Sequence, residues 1–146
     1  MTVVFYSDVS WTYSGFSATY TAQNTAQHPC PQEYLTAPSG SISSPLYSSA
    51  ETVHCSWLIE VAADHIVLLS FTSFSVGNCK VVVYDGSSSL DRIIGRFDGS
   101  SIPANRVSTS NQMLVTFLPD VNDQSVQFTA DYSTTTVNGN ITLDIL

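Results

Sequence analysis

Apolar side chains return at every second position in five stretches of this chain: Trp57, Ile59, Val61; Val67, Leu69, Phe71; Val81, Val83; Met113, Val115, Phe117; and Val126, Phe128, Ala130, Tyr132. A period of two lines one face of a strand, and helical recurrence is weak throughout. Turn chemistry punctuates these runs at Pro38-Ser39-Gly40, Gly77-Asn78, Asp85-Gly86, Asp98-Gly99 and Pro119-Asp120, residues that supply a positive φ or a preset one. Short strands at close spacing predict an all-β protein, an antiparallel two-sheet β-sandwich. The segment Ala50 to Asp64 has helix formers at both ends, but β-branched and aromatic residues hold its centre, and it is read as strand.

Composition narrows the partners. Of 146 residues, 43% are hydrophobic and only 11% charged, against a usual charged share of about 25%. Lys and Arg number 4 and Asp and Glu 12, a net charge of −8 that repels phosphate backbones and anionic lipid, so neither nucleic acid nor a membrane surface is an expected partner. Membrane insertion is not expected either: the longest apolar run, Ile66 to Leu69, is far short of the roughly 20 residues that span a bilayer.

The chain also repeats itself. Laid on residues 113 to 132 at a constant offset of 112, residues 1 to 20 match at eight positions of twenty: Met1, Val3, Phe5, Asp8, Val9, Phe16, Ala18 and Tyr20. The matches include the inward positions of two strands and the Asp-Val of the turn between them. Residues 1–22 are therefore expected to be the last two strands of a truncated preceding unit, 23–29 a linker, 30–133 one complete domain and 134–146 a tail.

The order and spacing of Cys30, Gly40-x-Ile42-x-Ser44-Pro45-x-Tyr47, Cys55-x-Trp57-x-Ile59, Leu69-x-Phe71-x-x-Phe74, Val83-Tyr84-Asp85-Gly86, Ile94-Gly95, Phe117-x-x-Asp120 and Phe128-x-Ala130-x-Tyr132 resemble a CUB domain. That family has a jelly-roll-like two-sheet sandwich and occurs in complement proteases, tolloid and astacin-type proteases, cubilin, neuropilins and spermadhesins. Gly15-Phe16-Ser17-Ala18-x-Tyr20 carries the family's closing signature a second time.

The resemblance gives the three cysteines roles. Cys30 and Cys55 match the family's first disulfide, which closes a loop of 25 residues and would contribute roughly 3 kcal/mol; an oxidising, extracellular setting follows. The family's second disulfide lacks its closing cysteine, which would fall near Phe97, so Cys79 is expected to be an unpaired thiol, most simply buried and unreactive. His28-x-Cys30 and His54-Cys55 also form a zinc-like ligand set if both thiols are reduced; a disulfide is the preferred reading in a secreted β-sandwich.

Many CUB domains bind calcium through a Tyr, a Glu and two Asp. Carried across residue by residue, only Asp120 is retained: the Tyr position falls on Glu51, the Glu near Gly77 and the first Asp near Cys79. Hard cations want several convergent oxygens, so the site is degenerate and no metal or cofactor is expected.

No catalytic constellation is present. The histidines are His28, His54 and His65, none of them in a His-Glu-x-x-His or Gly-x-Ser-x-Gly setting. His65 beside Asp64 reads as an ordinary turn histidine. Asn140-Ile141-Thr142 is the single sequon for N-glycosylation. The resemblance implies a non-catalytic extracellular module that binds another protein through loops at one pole, with Tyr47, Glu51, Asp85 and Asp120 as candidate contact residues. Two alternatives are a targeting region of a secreted astacin-like or serine protease, and a spermadhesin-like glycan-binding domain using exposed aromatics such as Trp11 and Tyr13.

Overall fold

The computed structural model describes residues 32–45, 54–120, 122–123 and 126–136. Among them nine strands form in chain order: β1 Gln32–Leu35, β2 Ser39–Ser43, β3 Cys55–Glu60, β4 His65–Ser75, β5 Gly77–Asp85, β6 Arg92–Gly99, β7 Arg106–Val107, β8 Gln112–Leu118 and β9 Gln127–Thr136. A five-stranded sheet runs β1-β3-β8-β5-β6 and a four-stranded sheet β2-β9-β4-β7. Every pair is antiparallel except β1 with β3, which is parallel. This is the expected two-sheet jelly-roll-like sandwich, with that one parallel pair in addition.

The alternation read from the sequence fills the space between the sheets. Cys55, Trp57 and Ile59 from β3, Met113, Val115 and Phe117 from β8, and Val81 and Val83 from β5 meet Val67, Leu69, Phe71, Phe128, Ala130 and Tyr132 from the other sheet in one buried cluster. Its centre is aromatic. Trp57 meets Phe128 edge to face at 5.5 Å, and Phe71 meets Phe74 and Phe97 in the same manner, each at 5.4 Å, the arrangement that the ring quadrupole favours. The two buried serines are satisfied: Ser44 Oγ accepts from the Phe128 amide at 2.9 Å, and Ser108 Oγ accepts from the Val67 amide at 2.8 Å.

Two irregularities re-aim side chains. In β4 the register shifts between Phe71 and Ser73, and the bulged Thr72 bonds the Thr129 hydroxyl at 2.7 Å. Between β5 and β6 a second shift leaves Ile94 without an opposite residue and packs it against the core.

Three turn signals fall inside strands: Gly77-Asn78 opens β5, Asp98-Gly99 closes β6, and the third lies at β2. Ser39 and Gly40 belong to β2, so the turn signal at Pro38-Ser39-Gly40 ends at Pro38. Gly40 lies opposite Tyr132, and a Cβ there would stand 2.8 Å from the Tyr132 ring. The glycine admits an aromatic ring onto the strand; it does not turn the chain.

Strand directions define two ends. Cys55, Gly77, Leu118, Ser75 and Gln127 lie at one, and Glu60, Asp85, Gln112, His65 and Thr136 at the other. The chain enters β1 at the first end, where Gln32 is paired with Ser56, and leaves β9 at the second.

Candidate functional site

Of the residues singled out in the sequence, Cys30, Tyr47, Glu51 and Asn140 lie outside the described residues, as do Trp11, Tyr13 and His28. Asp85 and Asp120 are described, and they stand at opposite ends of the sandwich. In the β5–β8 pairing Tyr84 faces Leu114 while Lys80 faces Leu118, so the strands separate the two aspartates lengthwise. A single pole containing both is therefore not what the topology builds.

Asp85 is a structural tie. Its side chain is 4% exposed. The carboxylate accepts from the Thr109 amide at 2.7 Å, the Thr109 hydroxyl at 2.8 Å and the Arg92 guanidinium at 3.1 Å. Burial alone would push the carboxyl up, but the two Thr109 donors and the Arg92 charge outweigh it and hold the group below the usual carboxylate range. With its lone pairs spent inside the fold, Asp85 pins the β7–β8 connection to the end of β5. Nearby, Thr36, Pro38, Val61, Ala62, His65 and Thr134 line a shallow cleft of about 160 Å³. His65 Nδ1 lies 2.7 Å from the Asp64 carboxylate, which that contact holds low.

The Asp120 end is assembled differently. The start of β5 supplies Gly77, Asn78 and Cys79, and the segment after β8 supplies Asp120, Asn122 and Asp123. Gly77 takes a φ of 57° and its backbone passes under the Asp123 carboxylate, where a Cβ would stand 2.6 Å from the oxygen. The Asp123 carboxylate accepts from the Asn78 amide and, at 3.4 Å, from its side chain. Asp120 Oδ1 accepts from the Asn122 amide at 2.9 Å and its side-chain nitrogen at 3.0 Å, an Asx-type turn.

Cys79 sits beneath this pair of loops, fully buried and free. The Asp120 amide donates to its sulfur at 3.1 Å, and the thiol points to Asp123 Oδ2 at 3.9 Å. Burial pushes the thiol up, and the Asp123 and Asp120 charges add to that against the Asp120 amide. A group so placed holds its proton and is a poor nucleophile.

The described donor set does not fit a calcium ion. Asn amide hydrogens are already turned toward both carboxylates, and a protonated thiol occupies the centre where a hard cation needs oxygen. Nor do the described residues offer three or more His, Cys, Asp or Glu side chains in a metal-binding group. His54 precedes β3 at the Asp120 end and His65 opens β4 at the other, so they share no site.

The model of the CUB domain family matches residues 30–132. The chain belongs to the CUB family. Its similarity to exoskeleton protein RP43 of Riftia pachyptila is 31% identity over 140 residues, covering 92% of this chain and 32% of that protein. Cubilin of Sus scrofa is 38% identical over 105 residues, 66% of this chain and 3% of cubilin. The solved extracellular region of zebrafish Gpr126/Adgrg6 superposes with a TM-score of 0.61 at 29% identity, covering 74% of this chain and 15% of that one. The chain thus spans about a third or less of the length of each of these relatives, all far larger than one CUB domain. The CUB fold is a non-catalytic scaffold that serves as a protein-interaction module within such larger proteins.

Neither the loop chemistry at the Asp120 end nor the tie at Asp85 was legible from residue order alone. The signal missed was in the register: Asp85 and Asp120 lie at the far ends of two adjacent strands that run in opposite directions.

Proposed function

We propose that this chain is an extracellular, non-catalytic binding module of a larger secreted protein, and that it engages a basic protein surface through the loops at the Asp120 end. The family membership of residues 30–132 carries the module reading, and the polarity of that end carries the choice of partner. Asp120 and Asp123 are half-buried there, and the described flanks of residues 46–53, Ser43 and Cys55, sit at the same end. Glu51 and Tyr47, in that intervening segment, complete the contact set as charged and aromatic members. Asp85 leaves the set, because its carboxylate is consumed by Thr109 and Arg92.

A disulfide from Cys30 to Cys55 belongs to this reading. It would secure the segment before β1 to the buried start of β3, and it suits an oxidising compartment. N-glycosylation at Asn140 is part of the same extracellular assignment. The match to the Riftia protein covers 92% of this chain and so runs beyond residues 30–132; the internal repeat is what supports residues 1–22 as the end of a preceding CUB unit.

Binding of extracellular proteins to the immobilised full chain, compared with an E51K/D120K variant, tests the reading. Loss of the captured protein from the variant, with its thermal unfolding unchanged, is the expected result. Undiminished capture by the variant sinks the assignment of the contact to this end, and an unlinked Cys30 and Cys55 in peptide maps of oxidised secreted material sinks the compartment.

A further inference from the structure

The outer face of the five-stranded sheet carries an apolar row, bounded by Ser56 and Thr116 on one side and by Glu60 and Gln112 on the other. Where an antiparallel sheet is wet on one side, outward positions are polar and alternate with the core. Here Tyr34, Leu58, Leu114, Tyr84 and Ile93 face one another in register across β1, β3, β8, β5 and β6, an apolar row across the whole sheet. Their inward neighbours, such as Val83, Val115 and Ile59, belong to the main core, so the row stands on the opposite face.

The middle of that face is also buried. Val82 is 1% exposed, Leu114 6% and Tyr84 9%, and they form a cluster separate from the core, joined by Leu58 and Leu118. Every member of the cluster lies on β3, β5 or β8 of this sheet, and the four-stranded sheet packs on the other side. Among the described residues, the hydrophobics packed against it are Leu58 and Leu118 of the same sheet. At the margins the same row emerges, with Tyr34 58% and Ile93 45% exposed. The sequence carries the trace of two-sided burial in its unbroken apolar runs, Val81-Val82-Val83-Tyr84 and Met113-Leu114-Val115.

We propose that residues 1–22 of this chain pack their apolar strand faces on this row, so that the outer face of the five-stranded sheet is the seat of the preceding unit. Residues 1–31, outside the described residues, adjoin Gln32 of β1, and β1 is the edge strand on which the row begins. Residues 23–31 can extend about 30 Å, more than the roughly 19 Å width of five strands, so the segment reaches every part of the face. Its chemistry matches: Val3, Phe5, Phe16, Ala18 and Tyr20 recur at period two, and Asp8 is its one charged residue. Such a segment covers apolar surface without burying unpaired charge. This seat is distinct from the loops at the Asp120 end and stands whether or not those loops bind a protein.

A photoreactive benzoylphenylalanine placed at Ile93, and separately at Tyr34, in the full chain tests the seat, since both positions are exposed enough to accept the label. Irradiation followed by peptide mapping is expected to join either label to residues 1–22 of the same molecule. Products joined to residues 137–146, products between two chains, or no protein product at all overturn the proposal. In the unlabelled full chain, hydroxyl-radical footprinting is expected to find Tyr84 as slow to oxidise as Trp57. Oxidation of Tyr84 at the rate of Tyr34 overturns it independently of any substitution.

Discussion

Asp85 grips Thr109 twice, taking its amide at 2.7 Å and its hydroxyl at 2.8 Å on separate carboxylate oxygens. Neither bond survives truncation, so D85A is expected to cost about 2–3 kcal/mol, two hydrogen bonds to a charged acceptor less what water recovers. Urea unfolding with an unchanged slope checks it.

The same carboxylate sets a pH dependence. Its folded pKa lies below the unfolded one, so the folded state binds fewer protons and stability is higher where the unfolded group is ionised. The contribution is complete above the unfolded carboxyl's range near 4 and drains away as pH falls through the folded value. D85N is expected to flatten that acid limb of the stability curve. An acid limb identical in D85N and the parent refutes the attribution.

Cys79 is expected to be silent in the folded protein. With burial and two nearby carboxylates raising its pKa, disulfide-exchange reagents at pH 8 should modify it only as fast as the fold opens. Prompt stoichiometric labelling of the native chain contradicts the structure.

Gly77 is the hinge on which the Asp120 end is formed, at a φ of 57°. G77A meets two costs, a left-handed backbone worth about 1–2 kcal/mol and a Cβ that displaces the Asp123 carboxylate. Loss of about 2 kcal/mol is expected, accompanied by amide shifts at Asn78 and Asp123 in nitrogen-proton spectra.

Phe128 touches Trp57, Phe71, Phe74 and Phe117 within the aromatic centre. Removing it leaves a hole bounded by both sheets, and F128A is expected to lose about 3–5 kcal/mol. The near-ultraviolet circular dichroism of Trp57 should collapse with it.

Periodicity makes most of the core legible in the sequence. Alternation marks most inward residues of β3, β4, β5, β8 and β9, because each of those strands buries one face against the opposite sheet; Cys55, Phe74 and Cys79 join the core outside the pattern. The edge strands left a weaker trace. Gln32–Leu35 is mostly exposed, Ser39–Ser43 buries only Ile42 among serines and a glycine, and β6 is interrupted by the bulge that turns Ile94 inward. At the candidate site, the turn signal at Pro119-Asp120 falls in the segment after β8, whereas the Asp85 carboxylate is bonded to Thr109 and Arg92. A turn aspartate that faces solvent and one that faces Thr109 look alike in a sequence. Thr109 lies 24 residues away, and nothing local signals that pairing.

The entry of the chain at one end of the sandwich and its exit at the other govern how the domain bears load. Tension applied through both flanks runs along the strands and shears the long β4–β9 ladder, from His65 opposite Thr136 to Ser75 opposite Gln127. All of its hydrogen bonds then resist together, where a hairpin pulled from one end would unzip them singly. A module wired in this way meets tension through its flanks with its longest ladder rather than with its edge turns.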